Sequence, residues 1–129
     1  MTEAGLKIIS DAMEALGLNY GFCEYIVGDG ENPYPYFVGE YEEIEPLNED
    51  GMQETLFMLT GFSRGEWLAL ENAKAEIRNY FNKISGKTVI AKDGTAVAVF
   101  YSNSLVVPTG DAELKKMQIN LDIREWSVN

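Results

Sequence analysis

The pentapeptide Gly61-Phe62-Ser63-Arg64-Gly65 has the G-x-S-x-G spacing of a nucleophile elbow, and it stands between a strand-like and a helix-like run, where hydrolases carry that motif. A serine hydroxyl stays a weak nucleophile until an adjacent base takes its proton, and in that motif the base is an imidazole. The chain contains no histidine. That absence also removes the side chain that titrates nearest neutrality and the commonest zinc ligand. Ser63 is therefore expected to cap a helix, with Glu66 three residues later completing a capping-box pattern.

A second constellation is Asp111-Ala112-Glu113-Leu114-Lys115, whose E-x-K matches the latter half of a metal-dependent nuclease motif, with Asp93 as an upstream acid. Carboxylates and a lysine on adjacent strands could bind magnesium and orient a water. Three residues match easily in an acidic chain, and a nuclease must also hold a polyanion. The plainer expectation is that Glu113 and Lys115 solvate the start of a strand. A third cluster, Glu40-Tyr41-Glu42-Glu43-Ile44-Glu45, lacks the spacing of a calcium loop and is expected to be an acid-studded strand edge or a docking face. Tyr34, Tyr36, Phe37 and Tyr41 are read as strand packing. Phosphate-binding glycine loops and metal-type cysteine pairs are absent, so neither a cofactor nor a metal is expected, and no enzymatic activity.

The elements that must carry these residues follow from hydrophobic spacing. Leu6, Ile9, Met13 and Leu16 recur on one helical face, which predicts a helix over 2–16 with Thr2 as cap and Gly17 as stop. Phe22–Val27 and Tyr34–Ile44 read as a strand pair around the turn cluster 28–33. Residues 52–62 are apolar at both parities, as in a central strand covered on both faces. Trp67, Leu70, Ile77, Phe81 and Ile84 predict a second helix reaching Ser85-Gly86. Strands follow over 88–92, 95–101 and 114–126, with Asp93-Gly94 as a hairpin turn and a loop from Ser102. In the last strand Met117, Ile119, Leu121 and Ile123 alternate with polar residues, so one face is expected dry and the other wet. The fold class is α+β: a single domain over 1–129 with a mainly antiparallel sheet flanked by two helices.

With 129 residues, 46% of them hydrophobic, the chain suits one domain with a real core. Its only cysteine, Cys23, is expected as a buried thiol in an intracellular protein. No leader or membrane-spanning run is visible. The net charge of −11 is unevenly spread: between Lys7 and Arg64 there is no Lys or Arg and there are 12 acids, whereas residues 64–129 hold 9 bases and 8 acids. This excludes a polyanion-binding face of ordinary kind and sequence-specific nucleic-acid recognition, and permits a charged face that meets a basic neighbour.

The segments Phe57–Gly65, Gly94–Tyr101, Val107–Lys115, Met117–Leu121 and Glu125-Trp126 resemble, in order and spacing over roughly residues 34–128, the tail-completion or tail-terminator proteins of long-tailed phages and prophages of Gram-positive bacteria. The resemblance implies an α+β subunit that self-assembles into a ring, typically a hexamer, assembled in the host cytoplasm and carried in the virion tail. Its partners would be the tail-tube protein and the head–tail connector proteins. A connector or minor capsid component of related fold would look similar, and an acidic adaptor for a basic partner is a further alternative. In a ring each subunit meets its neighbour through two different surfaces. Acids Glu40, Glu42, Glu43 and Glu45 of one subunit are therefore expected to face Arg64, Lys115 and Lys116 of the next.

Overall fold

The structure, a computed structural model, describes residues 1–44 and 51–127. Helix α1 (Glu3–Ala15) is followed by strands β1 (Asn19–Phe22), β2 (Tyr36–Ile44) and β3 (Met52–Arg64). Helix α2 (Leu68–Tyr80) then leads to β4 (Lys87–Ile90), β5 (Ala96–Val107) and β6 (Leu114–Trp126). All six strands form one sheet in the order β1-β2-β3-β6-β5-β4, curved into a half-barrel. The chain is thus α+β, but the sheet is mixed: four ladders are antiparallel and β1 pairs with β2 in parallel.

That parallel ladder corrects the first expected hairpin. The strand ends at Phe22 instead of beginning there, and residues 23–35 make an excursion that lets the chain re-enter the sheet in the same direction. Cys23 begins it with a left-handed φ of 65°, its N–H donating to the Gly39 carbonyl at 2.8 Å. Its side chain is exposed, not buried as expected.

Both helices cover one face. Alternation in β3 and β6 puts Phe57, Leu59, Ile119, Leu121 and Ile123 beneath them, against Ile8, Ile9, Ala12 and Met13 of α1 and Leu70, Ala73 and Ile77 of α2. Two glycines set the approach. A Cβ on Gly61 would lie 2.4 Å from Phe37 and 3.0 Å from Leu70, and one on Gly39 would lie 2.7 Å from Phe57. The expectation that β3 is covered on both faces is therefore half right. Thr55, Phe57, Leu59, Gly61 and Ser63 are buried, while Leu56, Met58, Thr60 and Phe62 look out half-buried from the open face.

Helix α1 starts as its sequence requires, with the Thr2 hydroxyl accepting from Gly5 N at 3.1 Å. Beneath that turn sits the buried carboxylate of Glu125, which accepts from Thr2 N at 3.0 and 3.2 Å and from the Thr2 hydroxyl. Helix α2 ends earlier than its periodicity suggests. Phe81 stays buried, but its carbonyl accepts from Tyr101 N at 2.8 Å, and the Asn82 side chain accepts from Ile84 N and Ser85 N. Those bonds turn the chain, so Ile84 leaves the helical face and lies in solvent. Residues 102–107, expected as loop, continue β5 past an irregularity between Tyr101 and Asn103. The amides of Gln118, Asn120 and Asn103 bond in series across the open face there, at 2.8 and 2.7 Å.

Two consequences follow for stability. Phe81→Ala should cost about 3–5 kcal/mol in urea unfolding, whereas Ile84→Ala should stay within about 0.5 kcal/mol; equal losses would mean that the helix runs on to residue 84. Gly→Ala inside an exposed helix ordinarily stabilises by about 1 kcal/mol. At Gly5 the added methyl would stand 2.8 Å from Glu125 Oε2. Gly5→Ala should therefore destabilise, by about 1–3 kcal/mol as overpacked cores do. A neutral or stabilising result would show that the Glu125 carboxylate yields freely.

Candidate functional site

Ser63 is neither an elbow nucleophile nor a helix cap. It lies inside β3, opposite Lys115 of β6, with its side chain buried among the helix-facing residues. The strand continues through Arg64 because β6 supplies a partner as far as Leu114, and the corner comes at Gly65, whose φ of 93° suits glycine. The Gly65 N–H donates to the Glu113 carbonyl at 2.7 Å. Helix α2 begins only at Leu68, and its cap residue Trp67 offers no side-chain hydrogen bond. The capping-box expectation fails because a strand partner outcompetes the serine's local role. The two outer glycines of the motif serve packing and turning.

The nuclease-like residues are not brought together. Asp93 sits in the β4–β5 turn near the Ala96 end of β5, where Thr95 N donates to it at 2.9 Å and holds its carboxyl below the usual range. Glu113 precedes β6 at the end where Val107 pairs with Lys116. The length of β5 between those ends is roughly 36 Å at the usual strand rise. Among the described residues, no group of three or more His, Cys, Asp or Glu is arranged to hold a metal ion.

The interface candidates fall into two separated sets. Glu40 and Glu42 project from the open face of β2, opposite Met58 and Leu56, while Glu43 turns to the helix side and accepts from the amino group of Met1. Glu45, Glu49 and Asp50 lie outside the described residues. Arg64, Lys115 and Lys116 stand at the other end of the sheet. Glu40, opposite Met58, stands six residues of β3 from Arg64, roughly 20 Å, and Glu42 lies farther off. Acids and bases therefore cannot meet within one copy.

The three cations also have neighbours of their own. The Arg64 guanidinium packs 5.6 Å from the Tyr34 ring. Its bond to the Tyr34 hydroxyl, with Asp111 and Glu113 nearby, pushes its already high pKa further up. Lys115 reaches the Ala112 carbonyl and lies 5.8 Å from the Trp67 ring. Lys116 lies 5.7 Å from Phe62. Tyr25, Tyr36 and Phe62 stack in a row beside them, with centroid spacings of 5.2 and 5.1 Å. Tyr34 and Tyr36 thus belong to a half-exposed surface stack, Phe37 to the core. Tyr25 carries no periodic signal, since it joins the row only through the 23–35 excursion.

Two further features have no signature in the sequence. Helix α1 is bordered by a groove on each side. One is lined by Leu6, Lys7, Ser10, Tyr20 and Phe22; the other, of about 670 Å³, by Ala4, Ile8, Val89, Ile90 and Lys92 among others. Burial pushes the Tyr20 hydroxyl up to about 12. Strand β4, along the second groove, is exposed at every residue. No protein-family model matches the chain, and no curated protein matches its sequence. Among the described residues no helix is long and apolar enough to cross a membrane.

Proposed function

We propose that this chain is a tail-terminator or tail-completion protein of a long-tailed phage or prophage, a subunit of a ring that caps the tail tube and offers a surface to the head. One observation carries the reading. The segments that resemble that family, separated by up to tens of residues in sequence, fall on three neighbouring strands and the connection between two of them: Phe57–Gly65 along β3, Gly94–Tyr101 into β5, Val107–Lys115 from β5 to β6, and Met117–Leu121 with Glu125-Trp126 in β6. Short likenesses that arise by chance need not converge on one contiguous part of a fold. The separation of Glu40 and Glu42 from Arg64, Lys115 and Lys116 adds support, because unlike surfaces at different places on a subunit suit head-to-tail contact. In this role the protein recognises copies of itself, the tube subunit and the connector, and needs no catalytic group.

The test is multi-angle light scattering of the purified protein, alone and mixed with tail-tube subunits, with electron microscopy of the mixture. The expected result is a hexamer-sized ring on tube ends and tubes that stop lengthening. A strict monomer that leaves tube growth unchanged at high concentration would sink the proposal. A chain that ignores tubes and binds the connector would move it to the head side of the joint.

A further inference from the structure

The three most exposed large apolar side chains among the described residues are Ile84 at 92%, Ile26 at 80% and Ile90 at 73%. Ile84, which precedes β4, and Ile90, which ends it, lie at the β4 edge of the sheet, and Ile26 lies on the segment that folds back over β1, the strand at the other edge. The charges divide the same way. From Asn19 to Ile44 the chain carries Glu24, Asp29, Glu31, Glu40, Glu42 and Glu43 without a single Lys or Arg. From Ile77 to Lys92 it carries Arg78, Lys83, Lys87 and Lys92 without a single Asp or Glu.

We infer that these edges are two halves of one contact, the β1 edge of one copy docking on the β4 edge of a second. Ile26 and Val27 enter the groove between α1 and β4, whose walls include Ala4, Ile8, Val89 and Ile90, while the acids of the first edge face Lys83, Lys87 and Lys92. Three acids share this groove: Asp11 is already paired with Lys7 at 2.7 Å and Asp93 with the Thr95 N–H, while Glu3 stands in the first turn of α1. The donor segment is held for the contact. Tyr25 stacks on Tyr36 with rings 16° from parallel, and the chain at Glu24 closes so tightly over Gly21 that a Cβ there would lie 1.9 Å from the Glu24 carbonyl oxygen. Ile26 is thereby presented outward from an anchored turn. The receiving edge supplies what such a side chain lacks, an apolar trough beside opposite charge. Apolar contact holds the pair, and the charges select its orientation and speed its formation. The inference rests on the self-association in the function proposed above, but not on the tail tube.

Cys23, exposed beside Ile26 and the chain's only cysteine, makes the contact measurable. The full chain carrying Ile90→Cys is oxidised at high concentration, alone and with tube subunits, and its disulfides are counted by peptide mass spectrometry. Random collision gives about half mixed 23–90 links. The contact should give at least a tenfold excess of mixed over like links between copies, with no such excess for Leu68→Cys, an exposed site on α2. Alongside, Lys83→Glu/Lys87→Glu/Lys92→Glu should weaken association at least tenfold, and adding Glu24→Lys/Glu40→Lys/Glu42→Lys should restore it. Mixed links no commoner than with Leu68→Cys, or no rescue by the paired reversal, overturn the inference. If instead Arg64→Glu/Lys115→Glu/Lys116→Glu abolishes ring formation while the β4 reversal is harmless, the edge contact is wrong and the tail reading stands. Edge-linked oligomers that ignore tubes would uphold the contact and overturn the tail reading.

Discussion

A single buried carboxylate fixes the position of the first helix, and most of the surface described above depends on where that helix lies. Glu125, near the end of β6, is the only acid among the buried polar residues described, and it sits beneath the first turn of α1. Burying a charge is costly unless hydrogen bonds replace its water. Here the Thr2 N–H and hydroxyl do so, at the helix end whose free N–H groups and dipole favour an anion. Because the same hydroxyl accepts from Gly5 N, the carboxylate, the cap and the first turn form one unit. Both grooves described above run beside the helix so anchored. A sheet residue thus determines how a helix more than a hundred residues away in sequence meets the sheet's two edges.

Much of the architecture was legible because local pattern and tertiary setting agreed. Thr2 and the spacing of Ile9 and Met13 marked α1; the alternation of Met117, Ile119, Leu121 and Ile123 marked β6; Asp93-Gly94 marked the turn between β4 and β5. The failures occurred where a distant partner overrode a local signal. Ser63 has the sequence of a cap, but β6 claims it for the ladder. Ile84 continues a helical period that Asn82 and the Tyr101 N–H interrupt. Ser102, Asn103 and Ser104 look like loop residues, yet Asn120 gives Asn103 an amide partner in the sheet. The parallel entry of β2 was invisible, since no pattern in residues 23–35 reports the direction from which the chain returns.

The candidate surface was legible in sign and not in place. One acidic and one mixed half could be read directly, and the fold separates them. Which cations remain available for a neighbour depends on contacts that sequence does not reveal. Arg64 is taken up by Tyr34, Asp111 and Glu113, and Lys87 lies 4.9 Å from the Tyr80 ring, in a stretch from Ile77 to Lys92 that carries no acid. Charge asymmetry in a linear sequence becomes directional only when the sheet order assigns the two halves to opposite sides.

The amide series of Gln118, Asn120 and Asn103 gives the open face a character unlike the rest of the molecule. None of these groups can gain or lose a proton in the physiological range, and each is already engaged with the next. Beside them Asp122 and Arg124 neutralise each other at 3.2 Å. On a protein of net charge −11, this leaves a short run of neutral amides along β6, with Lys116 at one end and the Asp122–Arg124 pair at the other. A neighbour lying along those amides would meet hydrogen-bonding groups that keep the same donors and acceptors across the physiological pH range.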